Sequence, residues 1–265
     1  MSKNKNINSS VIIANYNNAK YLTDCFNSIL KQTYSDIEII FIDDSSTDNS
    51  LEVFERYKDR IKRVEKKTPK TGIASFDQTL SYFECLKNSS GDIIHFCDSD
   101  DFFVEDKIEI INEEFNKNKN YSLIFDLPIL KYENKLNFLK KRKKILKNFW
   151  PYFPPTSCIS IKKKKLIDFS EMLLKRDYPD IWLDFRLGIL SKYKFGEYNV
   201  LEKNLTFYRQ IDSSISSKFN YLSKNWWLRR KQAHDYVEYF FNENNLEYKK
   251  NLDCYLTKIF NEILK

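Results

Sequence analysis

The densest group of chemically active side chains is Asp98-Ser99-Asp100-Asp101, which places three carboxylates within four positions. It follows the apolar run Asp92–Cys97, whose composition is typical of a buried strand. Ligands of open α/β sheets bind just beyond the carboxyl ends of strands. Carboxylates this close repel one another unless a cation neutralises them, and their oxygens suit Mg²⁺ or Mn²⁺. The alternative is an acidic cap on a helix over Phe102–Phe115.

Two further polar loops follow predicted strands. The turn at residues 43–48 comes after the apolar run Ile37–Ile42, and the loop at residues 14–17 comes after the first apolar run. Helix capping by Ser46 or Thr47, with a helix running to about Tyr57, explains the second half of the acidic turn. It does not explain the pair Asp43-Asp44, whose carboxylates can accept hydrogen bonds from a base or a ribose. Together the three loops predict one ligand site at one edge of a sheet.

The elements that must position these loops alternate between strand and helix in the first half of the chain. Apolar residues at Leu22, Cys25, Phe26, Ile29 and Leu30 have helical spacing, which predicts a helix over Ala19–Gln32. Alternating strands and helices predict parallel β-α-β units with helices on both faces of a sheet. The second half is less regular, with a predicted strand at residues 156–161 and two helices after about residue 220.

Composition excludes several classes of site. The 265 residues include only four glycines, and neither glycine-rich phosphate-binding pattern occurs. With two histidines, His95 and His234, a histidine-rich metal site is excluded; His95 is expected in the core and His234 on the surface. The net charge of +7 is compatible with phosphate-bearing ligands, anionic membranes or nucleic acid, and does not choose among them.

Cysteine usage and hydropathy bear on where the chain is found. The five cysteines form no C-x-x-C pair, and no apolar run approaches the ~18 residues that span a bilayer. A cytoplasmic protein is therefore expected. The basic stretch Lys140–Lys147 is either a solvated charged face or a contact for an anionic membrane at the inner face of the cytoplasmic membrane. A nucleic-acid partner would need a basic groove with stacking platforms.

Four motifs resemble glycosyltransferase family 2, which has the GT-A fold. The segments are ANYN at residues 14–17, SILKQTY at 28–34, IDDSSTD at 42–48 and the stretch from Gly91 to Asp101. Their order and spacing over about residues 10–118 match the family. The resemblance implies an α/β protein with a Rossmann-like mixed sheet flanked by helices. Residues 1–218 are expected to form the GT-A domain, with a nucleotide-sugar half over about 8–118 and an acceptor half over about 119–218. A helical C-terminal extension is expected over 219–265.

The resemblance also assigns roles to residues in the first half. Asp44 would contact the nucleotide base, and Asp100 would hold Mn²⁺ or Mg²⁺ on the diphosphate together with Asp98. Asp101 is a further candidate ligand of the metal. The other expected donor-binding residues are Ala14, Asn15, Tyr16, Asp43, Ser99 and Arg209. The resemblance favours a UDP- or TDP-sugar as the donor, and it makes nucleic acid an unexpected partner. The IDDSS turn lacks the glycine that is usual in the family. The family also has an A-R-N element before the third strand, and residues 72–83 show no clear counterpart of it.

The second half supplies the expected catalytic base. The stretch Tyr178–Asp184 resembles the segment of inverting family members in which an aspartate takes the acceptor proton. Asp180 matches that aspartate best, and Asp184 is the second candidate; a plain helix cap at Asp180 is the structural alternative. Tyr208-Arg209-Gln210 resembles the segment that closes over the donor phosphates, although Ile211 stands where a histidine is common.

The resemblance thus predicts an inverting, metal-dependent glycosyltransferase. It would move a sugar from a nucleotide-diphosphate sugar to a hydroxyl of a glycan or glycolipid acceptor, in surface polysaccharide, lipooligosaccharide or other glycan assembly. Two other functions were weighed against it. A nucleotidyltransferase that makes sugar nucleotides would need a glycine-rich loop, which the chain lacks. A non-catalytic basic module at a membrane would bind without turning over a donor.

Overall fold

A computed structural model of the chain describes residues 8–141, 150–151, 153–211 and 219–264. Most of the basic stretch and the serine-rich segment at 213–216 lie outside the described residues. The strands are β1 (Ser9–Asn15), β2 (Ile37–Asp43), β3 (Lys62–Val64), β4 (Ile93–Asp98), β5 (Phe102–Phe103), β6 (Leu123–Lys131), β7 (Leu136–Phe138), β8 (Ile159–Lys162) and β9 (Tyr198–Arg209). The helices are α1 (Ala19–Leu30), α2 (Ser50–Glu55), α3 (Ala74–Lys87), α4 (Lys107–Lys117), α5 (Lys163–Asp168), α6 (Ser170–Leu173), α7 (Leu183–Tyr193), α8 (Lys224–Glu243) and α9 (Leu252–Ile263).

The strands form one mixed sheet in the order β3-β2-β1-β4-β8-β6-β9-β5, with β7 beside β6. The first four strands are parallel to one another, as the alternation of strands and helices predicted. β8 runs antiparallel to both β4 and β6, whereas β6 and β9 are parallel. Every residue of β1 is buried, because the strand lies inside the sheet with helices on both faces.

The parallel register brings the three polar loops to the same edge. On one side of β1, Ala14 pairs with Asp98 at the end of β4. On its other side, Asn15 pairs with Asp43 at the end of β2. Gly91, which precedes β4, lies so close to β1 that a Cβ there would meet the Ser10 backbone nitrogen at 2.5 Å. Only glycine allows this approach, so the residue helps to set β4 against β1.

Several predicted boundaries differ from the structure. Residues 156–158 form a 3₁₀ turn, and β8 begins only at Ile159. Helix α2 begins at Ser50, because the Asp48 carboxylate accepts hydrogen bonds from the Ser50 backbone N–H and hydroxyl. The predicted caps at residues 46 and 47 are therefore wrong. The alternative helix over Phe102–Phe115 is also wrong in its start, since Phe102–Phe103 is strand and α4 begins at Lys107.

The two C-terminal helices are present as predicted, and α8 is part of the main core. Its apolar face contributes Tyr236, Val237, Phe240 and Phe241 to the largest cluster of buried side chains, which also contains β6 and α7 residues. His234 is buried rather than on the surface, because α9 packs against α8 and Asp253 contacts the His234 ring nitrogen at 2.9 Å.

Candidate active site

The loop after β1 is tied to the turn after β2. The Asn15 side-chain amide donates to an Asp43 carboxylate oxygen at 2.7 Å, and the Asp44 backbone N–H donates to the Asn15 carbonyl at 2.8 Å. Asp43 also accepts from the Ser46 backbone N–H and hydroxyl at 2.9 and 2.6 Å. Asp43 thus shapes the turn. Ser45 takes a left-handed backbone conformation (φ 57°) where the family motif has glycine, so the turn forms without that glycine.

Asp44 lies in a buried, positively charged surrounding. Its carboxylate forms an ion pair with Lys66 at 2.7 Å, and Lys70 approaches to 4.0 Å. Burial raises the pKa of Asp44, and the two lysines oppose that shift. The Lys70 ammonium also lies 3.8 Å from the centre of the Tyr16 ring, which is 51% exposed. Sequence reasoning missed both lysines; the lysine-rich loop after β3 was the available signal.

Three carboxylates converge after β4. Ligand oxygens of Asp98, Asp100 and Asp101 all lie within 4.8 Å of one another. One Asp98 oxygen accepts hydrogen bonds from the Tyr82 hydroxyl and, at 2.9 Å, from the Gln78 amide. Burial and then the Asp100 charge raise the pKa of Asp98 to about 7.

Asp100 and Asp101 differ in how their oxygens are used. Asp101 accepts from the Ser157 hydroxyl at 2.6 Å with one oxygen and from the Arg209 backbone N–H at 2.9 Å with the other. Burial, followed by the charges of Asp100 and Asp98, raises its pKa well above the usual range. Within the described part of the chain, no other residue donates a hydrogen bond to the Asp100 carboxylate. Burial raises the Asp100 pKa as well, opposed by Arg209.

This set of oxygens fits a hard divalent cation. The Tyr82 and Gln78 side chains donate to one and the same oxygen of Asp98, and Asp100 keeps its carboxylate available to a ligand. Mg²⁺ and Mn²⁺ are bound by one or two protein carboxylates and complete their coordination with water and phosphate oxygens. Asp98 and Asp100 are therefore the residues that would hold the ion, whereas both Asp101 oxygens already hold the loop.

Arg209 lies at the end of β9 beside the acidic loop. Its guanidinium packs over the rings of Tyr21 and Phe102, at 5.0 and 4.8 Å from their centres, and pairs with Asp24. Its Nε is buried and has no hydrogen-bond partner among the residues that the structure describes. A buried donor without an acceptor is costly, and an anionic ligand at this point would satisfy it.

The two candidate bases occupy different surroundings. Asp180 is partly buried; its carboxylate accepts from the Gln232 side chain of α8 at 2.7 Å, and its backbone N–H donates back to Gln232 at 3.0 Å. Asp184 is 5% exposed in the first turn of α7 and accepts from the Phe185 backbone N–H at 2.5 Å. Burial raises the Asp184 pKa to about 7, and its charge in turn raises the pKa of Asp98. Asp180 does not cap the helix, which begins at Leu183 with Trp182 as its N-cap.

Arg229 of α8 lies beside both aspartates and was missed by sequence reasoning. Its guanidinium is 4.6 Å from the Trp182 ring and 4.2 Å from the Phe219 ring, and the charges of Asp184 and Asp180 act on it. One guanidinium nitrogen and the Trp182 indole N–H are buried without a hydrogen-bond partner among the described residues. A polar ligand that accepted from these donors would satisfy them.

The sequence of residues 10–180 matches the family described as Glycosyl transferase family 2, which covers well over half of the chain. The chain belongs to glycosyltransferase family 2. An uncharacterised glycosyltransferase of Nostoc sp. is 29% identical over 222 residues, which is 76% of this chain and 64% of that protein. Glycosyltransferase GlyG of Streptococcus pneumoniae is 38% identical over 107 residues, 40% of this chain and 34% of its own length. The family 2 chain thus spans less than two thirds of these relatives.

Solved structures confirm the GT-A fold expected for a family 2 protein. Staphylococcus aureus TarS residues 1–349, crystallised with UDP-GlcNAc, aligns with a TM-score of 0.65 over 97% of this chain and 71% of that one, at 16% identity. The mannosyltransferase PcManGT from Pyrobaculum calidifontis, in complex with GDP-Man and Mn²⁺, aligns with a TM-score of 0.52 over 98% and 70%, at 13% identity. Among the described residues, no helix has the length and hydrophobicity needed to cross a bilayer.

Proposed function

We propose that this protein transfers a sugar from a nucleotide-diphosphate sugar, most simply a UDP-sugar, to a hydroxyl of a glycan or lipid-linked acceptor. The observation that carries the proposal is the pair Asp98 and Asp100, whose carboxylates converge at the end of β4 in a family 2 chain. The buried Asp44 and the ring of Tyr16 lie at the neighbouring strand ends, where a base and ribose would bind. TarS, a structural neighbour crystallised with UDP-GlcNAc, supports uridine as the base.

Mn²⁺ or Mg²⁺ would be held by Asp98 and Asp100, and when bound it supplies positive charge against the leaving diphosphate. Arg209 would add a second positive charge; its Nε has no acceptor among the described residues, and its charge acts on Asp100. Asp44 would accept a hydrogen bond from the base, with one of its oxygens already paired with Lys66.

An inverting reaction needs a carboxylate that takes the acceptor proton on the face of the sugar opposite the diphosphate. We assign that role to Asp180, because the Gln232 amide holds its carboxylate in one orientation and it is the better match to the family motif. Asp184 is the alternative, since its charge acts on Asp98 and its pKa of about 7 is suited to proton transfer near neutral pH. Trp182 and Arg229 would contact the acceptor.

Association with an anionic membrane at the cytoplasmic face is proposed as the setting of this reaction. Helix α9 supports it, because its outward face carries large apolar side chains at helical spacing. These exposed residues are Leu252, Tyr255, Leu256, Ile259 and Ile263. An amphipathic helix of this kind can bury its apolar face at the boundary between headgroups and acyl chains.

Thermal unfolding with UDP, TDP, GDP and CMP, each with and without Mn²⁺, tests the donor assignment. A nucleotide at 100 times its dissociation constant adds ~2.7 kcal/mol to the free energy of unfolding. Stabilisation by UDP or TDP that needs Mn²⁺ is expected. A larger effect of GDP would overturn the choice of nucleotide, and no effect of any nucleotide would overturn the function. A second assay measures hydrolysis of a UDP-sugar. Slow hydrolysis is expected of a transferase, whereas a non-catalytic binding module would hydrolyse none.

A further inference from the structure

The acidic loop is held by a serine from the second half of the chain. The Ser157 hydroxyl accepts a hydrogen bond from the Asp98 backbone N–H at 2.9 Å and donates one to an Asp101 carboxylate oxygen at 2.6 Å. Ser157 is fully buried in the 3₁₀ turn before β8. One hydroxyl therefore makes hydrogen bonds to both ends of the acidic loop, at Asp98 and at Asp101.

Ser157 is itself fixed from behind by a buried lysine. The Lys107 ammonium, at the start of α4, donates to the Ser157 carbonyl at 2.6 Å and to the Thr206 hydroxyl at 2.7 Å. It also forms an ion pair with Asp126 of β6 at 2.9 Å, with both side chains fully buried. The Thr206 hydroxyl donates to the second Asp126 oxygen at 2.7 Å. Four elements, α4, β6, β9 and the 3₁₀ turn, thus meet directly behind the loop.

The opposite side of Asp101 is fixed as well, because its second oxygen accepts from the Arg209 backbone N–H. Asp101 is therefore held at both oxygens by residues of the second half. The loop between these attachments carries Asp98 and Asp100, whose ligand oxygens lie within 4.8 Å of one another. Charged groups held this close repel, so they keep one arrangement only if the surrounding hydrogen bonds hold the backbone in place.

We infer that Ser157 is a positioning residue that sets the arrangement of Asp98 and Asp100 for the divalent cation and the donor diphosphate. The inference rests on the proposed function, because it supposes that these two carboxylates bind a cation with a nucleotide. In this arrangement Asp101 holds the loop and is not a ligand of the metal. Partners that orient metal ligands from behind typically contribute about 10- to 100-fold to metal affinity.

The test compares Ser157→Ala with Ser160→Ala. Ser160 is also fully buried, lies three positions away in β8, and its hydroxyl contacts the His95 ring at 2.8 Å instead of the acidic loop. Titration calorimetry measures binding of UDP in the presence of Mn²⁺, and thermal unfolding measures stability. Ser157→Ala is expected to weaken Mn²⁺-dependent UDP binding at least ~10-fold. Ser160→Ala is expected to lose a similar amount of thermal stability while its UDP affinity stays within about twofold of wild type.

Equal UDP affinity in Ser157→Ala and wild type would overturn the inference and leave the proposed function standing. Absence of Mn²⁺-dependent binding of any of the four nucleotides in wild type would instead overturn the proposed function. If Ser157→Ala does not fold, Ser157→Thr and Ser157→Val replace it, because they share one shape and differ in the hydroxyl. The threonine variant should then bind more tightly than the valine variant by the same factor. Equal binding by this pair would refute the positioning role.

Discussion

Removal of the Lys107 charge should destabilise the fold strongly, because the ion pair that it forms with Asp126 is fully buried. In Lys107→Met the Asp126 carboxylate stays fully buried without its cation, and Ser157 and Thr206 each lose a donor. Breaking a buried pair in this way costs ~3–5 kcal/mol. For a chain of this size, that corresponds to a fall in melting temperature of roughly 6–20 °C.

The same helix offers a matched control. Lys117 of α4 pairs with Glu114 at the same distance, 2.9 Å, but its side chain is 64% exposed. Because solvent screens an exposed pair, Lys117→Met should leave the free energy of unfolding close to that of wild type. Burial, rather than distance, is therefore the cause of the expected difference between the two variants.

Denaturant unfolding, followed by circular dichroism, measures both variants and completes a double-mutant cycle with Asp126→Leu. Asp126→Leu alone should also cost several kcal/mol, because Lys107 is then left as the buried charge. The double variant should cost less than the sum of the two, with a coupling free energy of ~2 kcal/mol or more. A loss below ~1 kcal/mol in Lys107→Met, or additive effects in the cycle, would refute the reasoning.

Four further outcomes are expected. Asp100→Ala should abolish Mn²⁺-dependent UDP binding in calorimetry and leave the melting temperature near wild type; binding as tight as wild type would show that Asp100 is not a ligand. A cation needs the ionised form of Asp98, and a pKa of about 7 leaves ~9% of this carboxyl ionised at pH 6 and ~91% at pH 8. The affinity for UDP with Mn²⁺ should therefore rise ~10-fold from pH 6 to pH 8, and an affinity that does not change with pH would contradict this prediction. Asp180→Asn should cut turnover ~10²-fold or more while UDP affinity stays within a few-fold, and normal turnover in Asp180→Asn with loss in Asp184→Asn would move the base to Asp184. Liposomes with anionic lipid should float the wild-type protein at low salt and not the Ile259→Glu variant; equal flotation of the two would exclude α9 as the contact.

The positions of the donor-side residues could be predicted from the sequence because they belong to short contiguous motifs. Each motif lies directly after a strand, and parallel strands carry their carboxyl ends to one edge, where Asn15, Asp43 and Asp98 come together in the structure. The fold class followed from the same alternation of strand and helix, and the family resemblance specified it further. His95 was placed in the core correctly, because it alternates with apolar residues on a buried strand.

Only the tertiary structure decided which residues support those motifs. Ser157 reaches Asp101 across 56 positions, and Lys107 reaches Thr206 across 99. Such contacts depend on how distant elements pack, and nothing in the local pattern of a polar side chain reports its partner. His234 was misplaced for the same reason, since α8 alone does not reveal that α9 covers it. Local residue order therefore determined the loops that carry the chemistry, whereas long-range packing determined their surroundings and charge states.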